Sequence, residues 1–266
     1  MVISNSINLV GEEGATIKTN DNVGITISEL DEDDRVILKN IEFVSGDTTK
    51  SVANNFITVD ETNNGANIVL SNITIASKFQ KSGIAVHSGN VTVKDSTLKA
   101  TDTFYQSSGG FQLLQFDGRA EGAAVTAVVE NCVLENANSD ESASWASNGV
   151  LIMGTADVDV SDCQFTNCYT GISSDLFWGY DNVVNHNNQA GYVLNIDIDK
   201  SNVFTGGTFV ANEFVWVENA PEEYHQKLDY ANYNAELYYK WTLDEDFGGY
   251  TALYSCVSTL TAEPTE

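Results

Sequence analysis

The sequence predicts an all-β fold in which short parallel strands wind into a solenoid. One observation is an eight-residue phrase of alternating apolar residues, then an Asn or Asp, then an apolar residue three positions later. Its five copies are Val36–Phe43, Ile68–Ile75, Val91–Leu98, Ala127–Leu134 and Val158–Phe165. The Asn or Asp positions are 32, 23, 36 and 31 residues apart. A constant phrase with unequal spacing is typical of a solenoid whose strands are fixed and whose loops vary.

Composition is consistent with this fold class. The 266 residues are 42% hydrophobic, which is enough for a substantial core. The chain has 20 Gly and only 2 Pro. Many short strands need turns in left-handed backbone conformations, which Gly and Asn tolerate.

Each turn of the solenoid, which we call a rung, is predicted to begin with a strand upstream of the phrase. Four such strands are Phe56–Val59, Gly83–Val86, Gln112–Phe116 and Gly149–Met153. A short turn, the strand of the phrase, the Asn or Asp corner, a short strand and a variable loop then follow. The alternation within each strand places one face inward.

The corner residues are predicted to be structural. A sharp turn between two strands needs a residue near the left-handed region, and stacked Asn side chains can bond from rung to rung. The five positions are Asn40, Asn72, Asp95, Asn131 and Asp162. The first and third residues after each corner are predicted to form columns inside the coil.

The two ends of the chain differ from the repeat. We expect residues 1–210 to form the solenoid, with about six or seven rungs and an N-terminal cap or first rung within residues 1–23. Residues 211–266 are expected to form a divergent C-terminal cap or a small appended module. In this part the pattern predicts a short helix near residues 221–228 and strands at Tyr238–Leu243 and Tyr250–Tyr254.

The phrase V-x-V-x-[N/D]-x-x-[L/F] with its corner residue resembles the right-handed parallel β-helix of the pectin-lyase-like superfamily. The resemblance covers about residues 20–210. It implies the fold but no single activity, because that fold serves polysaccharide lyases and hydrolases, bacterial surface proteins, and phage tailspikes or other virion parts. The resemblance implies that a lyase would use Arg or Lys as its base, often with Ca²⁺ held by Asp or Glu.

Candidate catalytic residues are few. Arg119 and Asp117 follow a strand, where active sites of this family often lie, and they are the best lyase candidates; the alternative is a surface ion pair. No carboxylate pair is nominated for a hydrolase. His87 also follows a strand, but the sequence shows none of the partners that a metal site or a nucleophilic triad needs, and a structural or incidental role is favoured.

A calcium site is the one cofactor prediction that the sequence allows. Asp31, Asp33 and Asp34 lie in an acidic run, and Ca²⁺ takes six to eight oxygen ligands. The run lacks the spacing and the Gly of an EF-hand, and a solvated acidic turn is the alternative. No other cofactor is predicted.

The charge limits the partners. The formal net charge of −26 disfavours binding to nucleic acid and to anionic membranes. The sequence has no apolar run of 18 residues, so no membrane span is predicted. The first residues lack the pattern of a signal peptide. Cys132 and Cys163 occupy equivalent places in consecutive copies, so we expect neighbouring buried reduced thiols; a disulfide is the alternative.

Aromatic residues in the variable loops are the predicted binding surface. Aromatic rings beside Asp bind sugar rings, although packing or a subunit interface is the alternative. The candidates are Phe104, Tyr105, Trp145, Phe177, Trp178, Tyr180 and Asp181.

The expected function is therefore a non-catalytic structural or adhesive β-solenoid on a virion or cell surface, possessing no signal peptide. Its partners would be a glycan or protein neighbours in an assembly, and a homo-oligomer is expected. The alternative is a polysaccharide lyase or hydrolase of the pectin-lyase-like kind.

Overall fold

Parallel strands wind around one apolar core in the computed structural model of this chain. The structure describes residues 1–19, 23–45, 53–77, 79–101, 111–136, 147–168, 170–175, 194–199, 201–207, 209–214, 240–242 and 255–257. Within these ranges every strand pair is parallel except one short antiparallel pair near the C-terminus. The prediction of an all-β parallel solenoid is confirmed.

The strands are short and follow one another in a regular order. In chain order they are β1 (Val2–Ile3), β2 (Ile7–Val10), β3 (Thr16–Thr19), β4 (Val23–Ile27), β5 (Arg35–Ser45), β6 (Ala53–Val59), β7 (Asn67–Ser77), β8 (Phe79–Val86), β9 (Gly89–Lys94), β10 (Thr97–Ala100), β11 (Phe111–Gly118), β12 (Val125–Glu130), β13 (Val133–Glu135), β14 (Ser147–Gly154), β15 (Ala156–Ser161), β16 (Gln164–Thr166), β17 (Thr170–Asp175), β18 (Leu194–Ile198), β19 (Val203–Thr205), β20 (Phe209–Phe214), β21 (Lys240–Thr242) and β22 (Ser255–Val257).

The solenoid has three sides. Side A is an eight-stranded sheet in the order β1-β4-β6-β8-β11-β14-β17-β20. Sides B and C belong to one twelve-stranded sheet that bends at the corner: side B holds β2, β9, β12, β15 and β18, and side C holds β3, β10, β13, β16 and β19. The long strands β5 and β7 run through the corner and belong to both sides. In the described residues, seven rungs have strands on all three sides, and β20 begins an eighth.

The core consists of columns of side chains that occupy the same register position in successive rungs. The residues after the corners are buried, as predicted: the first column is Ile41, Ile73, Ser96, Cys132 and Cys163, and the third-position column is Phe43, Ile75, Leu98, Leu134 and Phe165. Phe165 stacks on Phe204 of the next rung, with ring centroids 4.6 Å apart. Each such side chain, when fully buried, contributes roughly 1.5–3 kcal/mol through the hydrophobic effect.

The five corner residues have left-handed backbone. Their φ angles are 58° at Asn40, 51° at Asn72, 53° at Asp95, 51° at Asn131 and 53° at Asp162. Asn and Asp adopt this conformation at lower cost than other residues with a Cβ. The backbone therefore turns sharply at each corner, and sides B and C stay in register.

The corner side chains form a ladder along the outside of the solenoid. The amide nitrogen of Asn72 donates to Asn40 Oδ1 at 2.9 Å, and that of Asn131 donates to Asp95 Oδ1 at 2.9 Å. An Asp carboxylate has no N–H to donate to the rung before it. Each of these two Asn corners is therefore bonded to the corner of the preceding rung. The ladder is interrupted at each Asp corner that follows an Asn corner.

A second turn device occurs twice, with the sequence Asp-x-[Thr/Ser]-Asn. We call it the Asx clip; its two copies are residues 60–63 and 199–202. In each copy the Asp side chain accepts from the backbone N–H two residues on, and the Asn side chain donates to the Asp carbonyl at 2.6 Å. The Asx clip thus closes on itself.

Each Asx clip also bonds to the rung before it. Asn202 donates to Val160 O at 2.8 Å and accepts from Cys163 N at 3.0 Å, and Ser201 Oγ accepts from Asp162 N at 2.8 Å. Asn63 and Thr62 make the same three kinds of bond to Ile27, Leu30 and Glu29. Glu29, like Asp162, has a left-handed backbone, with a φ of 58°. The clip therefore satisfies backbone N–H groups at a left-handed position of the neighbouring rung.

The C-terminal part is described only in fragments. β20 pairs with β17 and extends side A to Phe214. β21 and β22 form an antiparallel pair, and β21 lies within the strand predicted at residues 238–243. The predicted helix at residues 221–228 and the predicted strand at 250–254 lie outside the described residues.

Candidate functional site

A connected set of polar side chains lies on side A in rungs 3 to 5. The register aligns Asn55, Ser82 and Gln112 on neighbouring strands. Ser82 N donates to Asn55 Oδ1 at 3.2 Å, and Ser82 Oγ lies 3.2 Å from Gln112 Oε1 and 2.8 Å from Gln115 Oε1, within donating distance of both. These bonds tie neighbouring rungs together through side chains as well as through the backbone.

The network leads to a carboxylate at the end of β11. Gln115 Nε2 donates to Asp117 Oδ2 at 3.3 Å. Arg119 holds both oxygens of Asp117, with Nε 2.6 Å from Oδ1 and Nη2 2.8 Å from Oδ2. This bidentate arrangement is among the strongest types of side-chain ion pair. The structure thus brings together the two residues that the sequence nominated as catalytic candidates.

His87 is a third member that the sequence left without a partner. It follows β8 at the register position of Asp117, and its Nδ1 lies 3.8 Å from Asp117 Oδ2. This distance is too long for a hydrogen bond but close enough for an ion pair when the imidazole is protonated. The sequence does not indicate this approach, because the carboxylate lies one rung away and 30 residues away in the chain.

Asp117 lies on the face of β11 opposite the core residue Phe116, and yet its side chain is buried. Its side chain is 8% exposed, whereas those of His87 and Arg119 are 28% and 30% exposed. Ala85, Leu151 and Met153 also alternate with core residues, and they too are buried. The outer surface of side A is therefore shielded from solvent around Asp117, whereas His87 and Arg119 remain partly exposed.

The arrangement limits what Arg119 can do chemically. A base must be within reach of the proton that it removes, and its hydrogen-bonding atoms must be available. Both Nε and Nη2 of Arg119 are directed at Asp117. A paired guanidinium beside a carboxylate can position a hydroxyl-bearing ligand, but proton removal would require the ion pair to open.

The acidic run at residues 31–34 folds into a turn that uses its own carboxylate. Asp34 Oδ1 accepts from Ser6 Oγ at 2.6 Å, and Oδ2 accepts from Asp31 N at 3.1 Å. The Ser6 hydrogen bond, followed by the Asp31 bond, lowers the pKa of Asp34 below its ordinary value. Within the described ranges no three His, Cys, Asp or Glu side chains are grouped as metal ligands. Asp31 and Asp33 are exposed.

The three described cysteine side chains are free and buried: Cys132, Cys163 and Cys168. Cys132 Sγ donates to Glu130 O at 3.3 Å, and Cys163 Sγ donates to Ser161 O at 3.1 Å. Ser96, in the same column, donates in the same way to Lys94 O. The hydrogen bond to Cys163, together with burial, raises the pKa of Cys132, and burial raises the pKa of Cys168 to about 12. The hydrogen bond with Cys132 lowers the pKa of Cys163. All three thiols are buried in the core, where they pack as small apolar side chains.

The aromatic candidates for ligand binding, with Asp181, are not among the residues that the structure describes. They are Phe104, Tyr105, Trp145, Phe177, Trp178, Tyr180 and Asp181.

Sequence reasoning missed Gln115, Ser82 and the Asx clips. Gln115 and Ser82 carry no motif, and only the register of β8 and β11 shows that they meet. The Asx clip could have been found, because Asp-x-[Thr/Ser]-Asn occurs at both positions and such side chains commonly bond turn backbone.

Comparison of the chain with family models, with curated proteins and with solved structures finds no match. No helix among the residues that the structure describes is long and apolar enough to cross a bilayer.

Proposed function

We propose that this chain is a non-catalytic structural or adhesive β-solenoid of the pectin-lyase-like kind. It is exposed on a virion or a cell surface, where its loops contact a glycan or protein neighbours. The observation that carries the proposal is the Asp117–Arg119 ion pair. A buried carboxylate held at 2.6 and 2.8 Å by one guanidinium is arranged to stabilise a fold.

The network around the ion pair supports the same proposal. Ser82, Gln112 and Gln115 bond to one another across rungs, as expected for side chains that hold a solenoid together. Burial of Ala85 and Leu151 beside them is also expected for a covered surface rather than for an open cleft that receives a polymer.

The alternative is a polysaccharide lyase or hydrolase. One observation favours it: His87, Asp117 and Arg119 converge from two neighbouring rungs at the end of side A. An imidazole, a carboxylate and a guanidinium close together are groups that acid–base catalysis uses. A ligand that displaced Arg119 from Asp117 would free both.

The decisive experiment is a turnover assay on polyuronates and on neutral polysaccharides. Lyase products are detected by their ultraviolet absorbance and hydrolase products as new reducing ends. We expect no turnover by the unmodified chain. Turnover that is lost in Asp117→Asn and in Arg119→Gln, while Lys99→Gln remains active, would overturn the proposal. Lys99 is a suitable control because it forms a comparable ion pair with Glu135, 2.6 Å away on side C.

Glycan adhesion needs a separate binding measurement. Immobilised glycans are probed with the unmodified chain and with Trp178→Ala and Tyr105→Ala, two of the loop aromatics. We expect weakened binding in these variants, because each stacked ring contributes to binding of a sugar face. Binding that neither substitution changes would place the adhesive surface elsewhere.

A further inference from the structure

Two cysteines lie side by side where sides B and C meet. The register pairs the last residue of β12 with the last residue of β15, and the first residue of β13 with the first residue of β16. Two residues lie between these pairs on each rung, so Cys132 of rung 5 is the direct neighbour of Cys163 of rung 6. Gln164 N donates to Cys132 O at 2.8 Å and holds the two rungs together at this point.

The two thiols are buried and have the same surroundings. Each donates to the carbonyl oxygen two residues before it, at 3.3 Å for Cys132 and 3.1 Å for Cys163. Each also lies near a carbonyl oxygen of the preceding rung, at 3.5 Å for Cys132 and 3.6 Å for Cys163. Because a thiol is a weak donor, rotation of Cys132 about its Cα–Cβ bond toward rung 6 breaks only weak hydrogen bonds.

The spacing of the rungs decides what kind of disulfide these two residues would make. Neighbouring strands lie about 4.8 Å apart, and the Cα atoms of a disulfide lie about 4.4–6.8 Å apart, so the backbone already meets this requirement. The Cβ atoms of a disulfide lie about 3.5–4.5 Å apart, whereas parallel stacking keeps neighbouring Cβ atoms near the strand spacing. The disulfide is therefore within reach but strained, and strained disulfides are the readily reduced ones.

We propose that Cys132 and Cys163 form a reversible disulfide between rungs 5 and 6 when a hydroperoxide oxidises the folded chain. The bond links two rungs through the core, at the corner where sides B and C meet. The pair belongs to the interior of the solenoid, so the inference holds for a structural protein and for an enzyme and does not rest on the proposed function.

Cys163 is the thiol that reacts first. Its hydrogen bond with Cys132 lowers the pKa of Cys163 and raises that of Cys132, and the thiolate is the form that attacks an oxidant. Cys163 also lines a groove of about 540 Å³ at the corner, together with Asp95, Glu130 and Asp162. These carboxylates oppose the approach of an anionic oxidant but not that of hydrogen peroxide, which is uncharged and small.

The reaction has two steps. The Cys163 thiolate attacks one oxygen of hydrogen peroxide, the O–O bond breaks, and the hydroxide that leaves takes up the proton released by ionisation of the thiol. Cys163 is then a sulfenic acid. The Cys132 sulfur attacks Cys163 Sγ, the S–O bond breaks, and the departing hydroxide combines with the Cys132 proton. Two thiols and one peroxide thus give one disulfide and two waters.

The test is mass spectrometry of the folded chain after treatment with hydrogen peroxide. The remaining thiols are alkylated under denaturing conditions, so that each of the 4 cysteines is counted. We expect loss of two thiols and a linked pair of peptides that contain Cys132 and Cys163, with two hydrogens fewer than the reduced peptides. Millimolar glutathione should return both thiols, because the bond is strained.

Serine variants separate the roles of the two thiols. Serine fits this column, because Ser96 occupies it in rung 4 and donates to Lys94 O at 2.7 Å. Cys132→Ser should stop at a sulfenic acid on Cys163, which a cyclic 1,3-diketone captures. Cys163→Ser should leave Cys132 unoxidised. Cys168→Ser is the matched control, since this thiol is also buried but lies beyond β16, and the variant should still form the link.

Three outcomes would overturn the proposal. One is four intact thiols in the folded chain at peroxide concentrations that oxidise the urea-unfolded chain. Another is a link that includes Cys168 in place of Cys132 or Cys163. The third is a link between Cys132 and Cys163 that glutathione does not reduce. Circular dichroism establishes that each variant is folded before it is oxidised.

Discussion

At the scale of single residues, the corner ladder shows how one atom decides whether two rungs are tied together. Asn72 donates to Asn40 and Asn131 donates to Asp95. Asp95 and Asp162 follow an Asn but have no N–H to offer it. The sequence predicted all five corners, but not these interruptions, because the spacing of Asn and Asp does not show which oxygen each amide faces.

We expect Asp95→Asn and Asp162→Asn each to stabilise the protein. The new amide can donate to the Asn of the preceding rung, and a net hydrogen bond contributes about 0.5–1.5 kcal/mol. Urea unfolding measures the gain. Asp33→Asn is the control, since it removes one negative charge from an exposed turn outside the ladder. An equal gain in the control would show that relief of charge repulsion, and not the ladder, is responsible.

Two carboxylates are expected to give opposite pH dependence. The pKa of Asp34 is lowered by its bond from Ser6, so its ionised form stabilises the fold above the ordinary value of 3.8, and this contribution is lost as pH falls through the lowered pKa. The pKa of Asp159 is raised by burial and by Asp197, so ionisation destabilises the fold as pH rises from the ordinary value through the raised one.

Unfolding of Asp34→Asn and Asp159→Asn between pH 2 and pH 7 tests these signs. At neutral pH the first variant should be less stable than the unmodified chain and the second more stable. Both differences should shrink on acidification, because the carboxylates are then protonated. A difference for either variant that persists undiminished at the lowest pH would contradict the assignment to ionisation.

At the scale of elements, strands follow from apolar alternation, whereas turns depend on side chains that bond the neighbouring rung. Alternation predicted the strands of side A and the phrase strands because a core column needs an apolar residue at each second position. The apolar alternation did not indicate that His87 approaches Asp117 and Arg119. That approach depends on the register of β8 and β11, which pairs Gln115 with Ala85 and Phe116 with Val86.

Rung 7 has no copy of the eight-residue phrase and uses an Asx clip in its place. There the corner between sides B and C is formed by residues 199–202 instead of a left-handed Asn, and Asn202 is buried with three hydrogen bonds. Side B and side C remain in register because the clip attaches to Val160 and Cys163 of the preceding rung. An irregular sequence therefore produces the same turn by a different set of bonds.

We expect Asn202→Ala to destabilise the protein by about 2–3 kcal/mol. The substitution leaves the buried Cys163 N without its acceptor, which costs about 1–3 kcal/mol, and it removes one of two hydrogen bonds to Val160 O, which also accepts from Asp199 N. Asn67→Ala, at an exposed position of β7, should cost much less. Thermal unfolding compares the two variants. Equal losses would mean that the clip contributes no more than an ordinary surface Asn.

At the scale of the whole molecule, the seven rungs seen in the described residues share one core, and each pairs with the rungs directly before and after it. Stability in such a molecule is approximately a sum of rung and interface contributions. The sequence predicted this architecture from five phrases because the same register recurs in every rung. It did not predict that Asp117 and Met153 are buried, since apolar alternation assigns both to the face of the strand opposite the core.

The first rung differs from those inside the stack. Among the described residues, four of the five exposed large hydrophobic side chains belong to it: Met1, Val2, Ile7 and Val10. Its strands β1, β2 and β3 each pair with one neighbour only, while strands of the inner rungs pair on both edges. Rung 1 is therefore bound to the solenoid by half as many interfaces as an inner rung.

The spacing of the corners also fixes how this molecule would respond to a pulling force. Tension applied at the chain ends would open the rung-to-rung hydrogen bonds one row at a time, instead of shearing them together. Each opened rung releases the 23 to 36 residues between successive corners. At about 3.4 Å per residue, that is roughly 80–120 Å of slack per step. The protein would thus lengthen in discrete increments, dissipating mechanical work while the remaining rungs keep their shape.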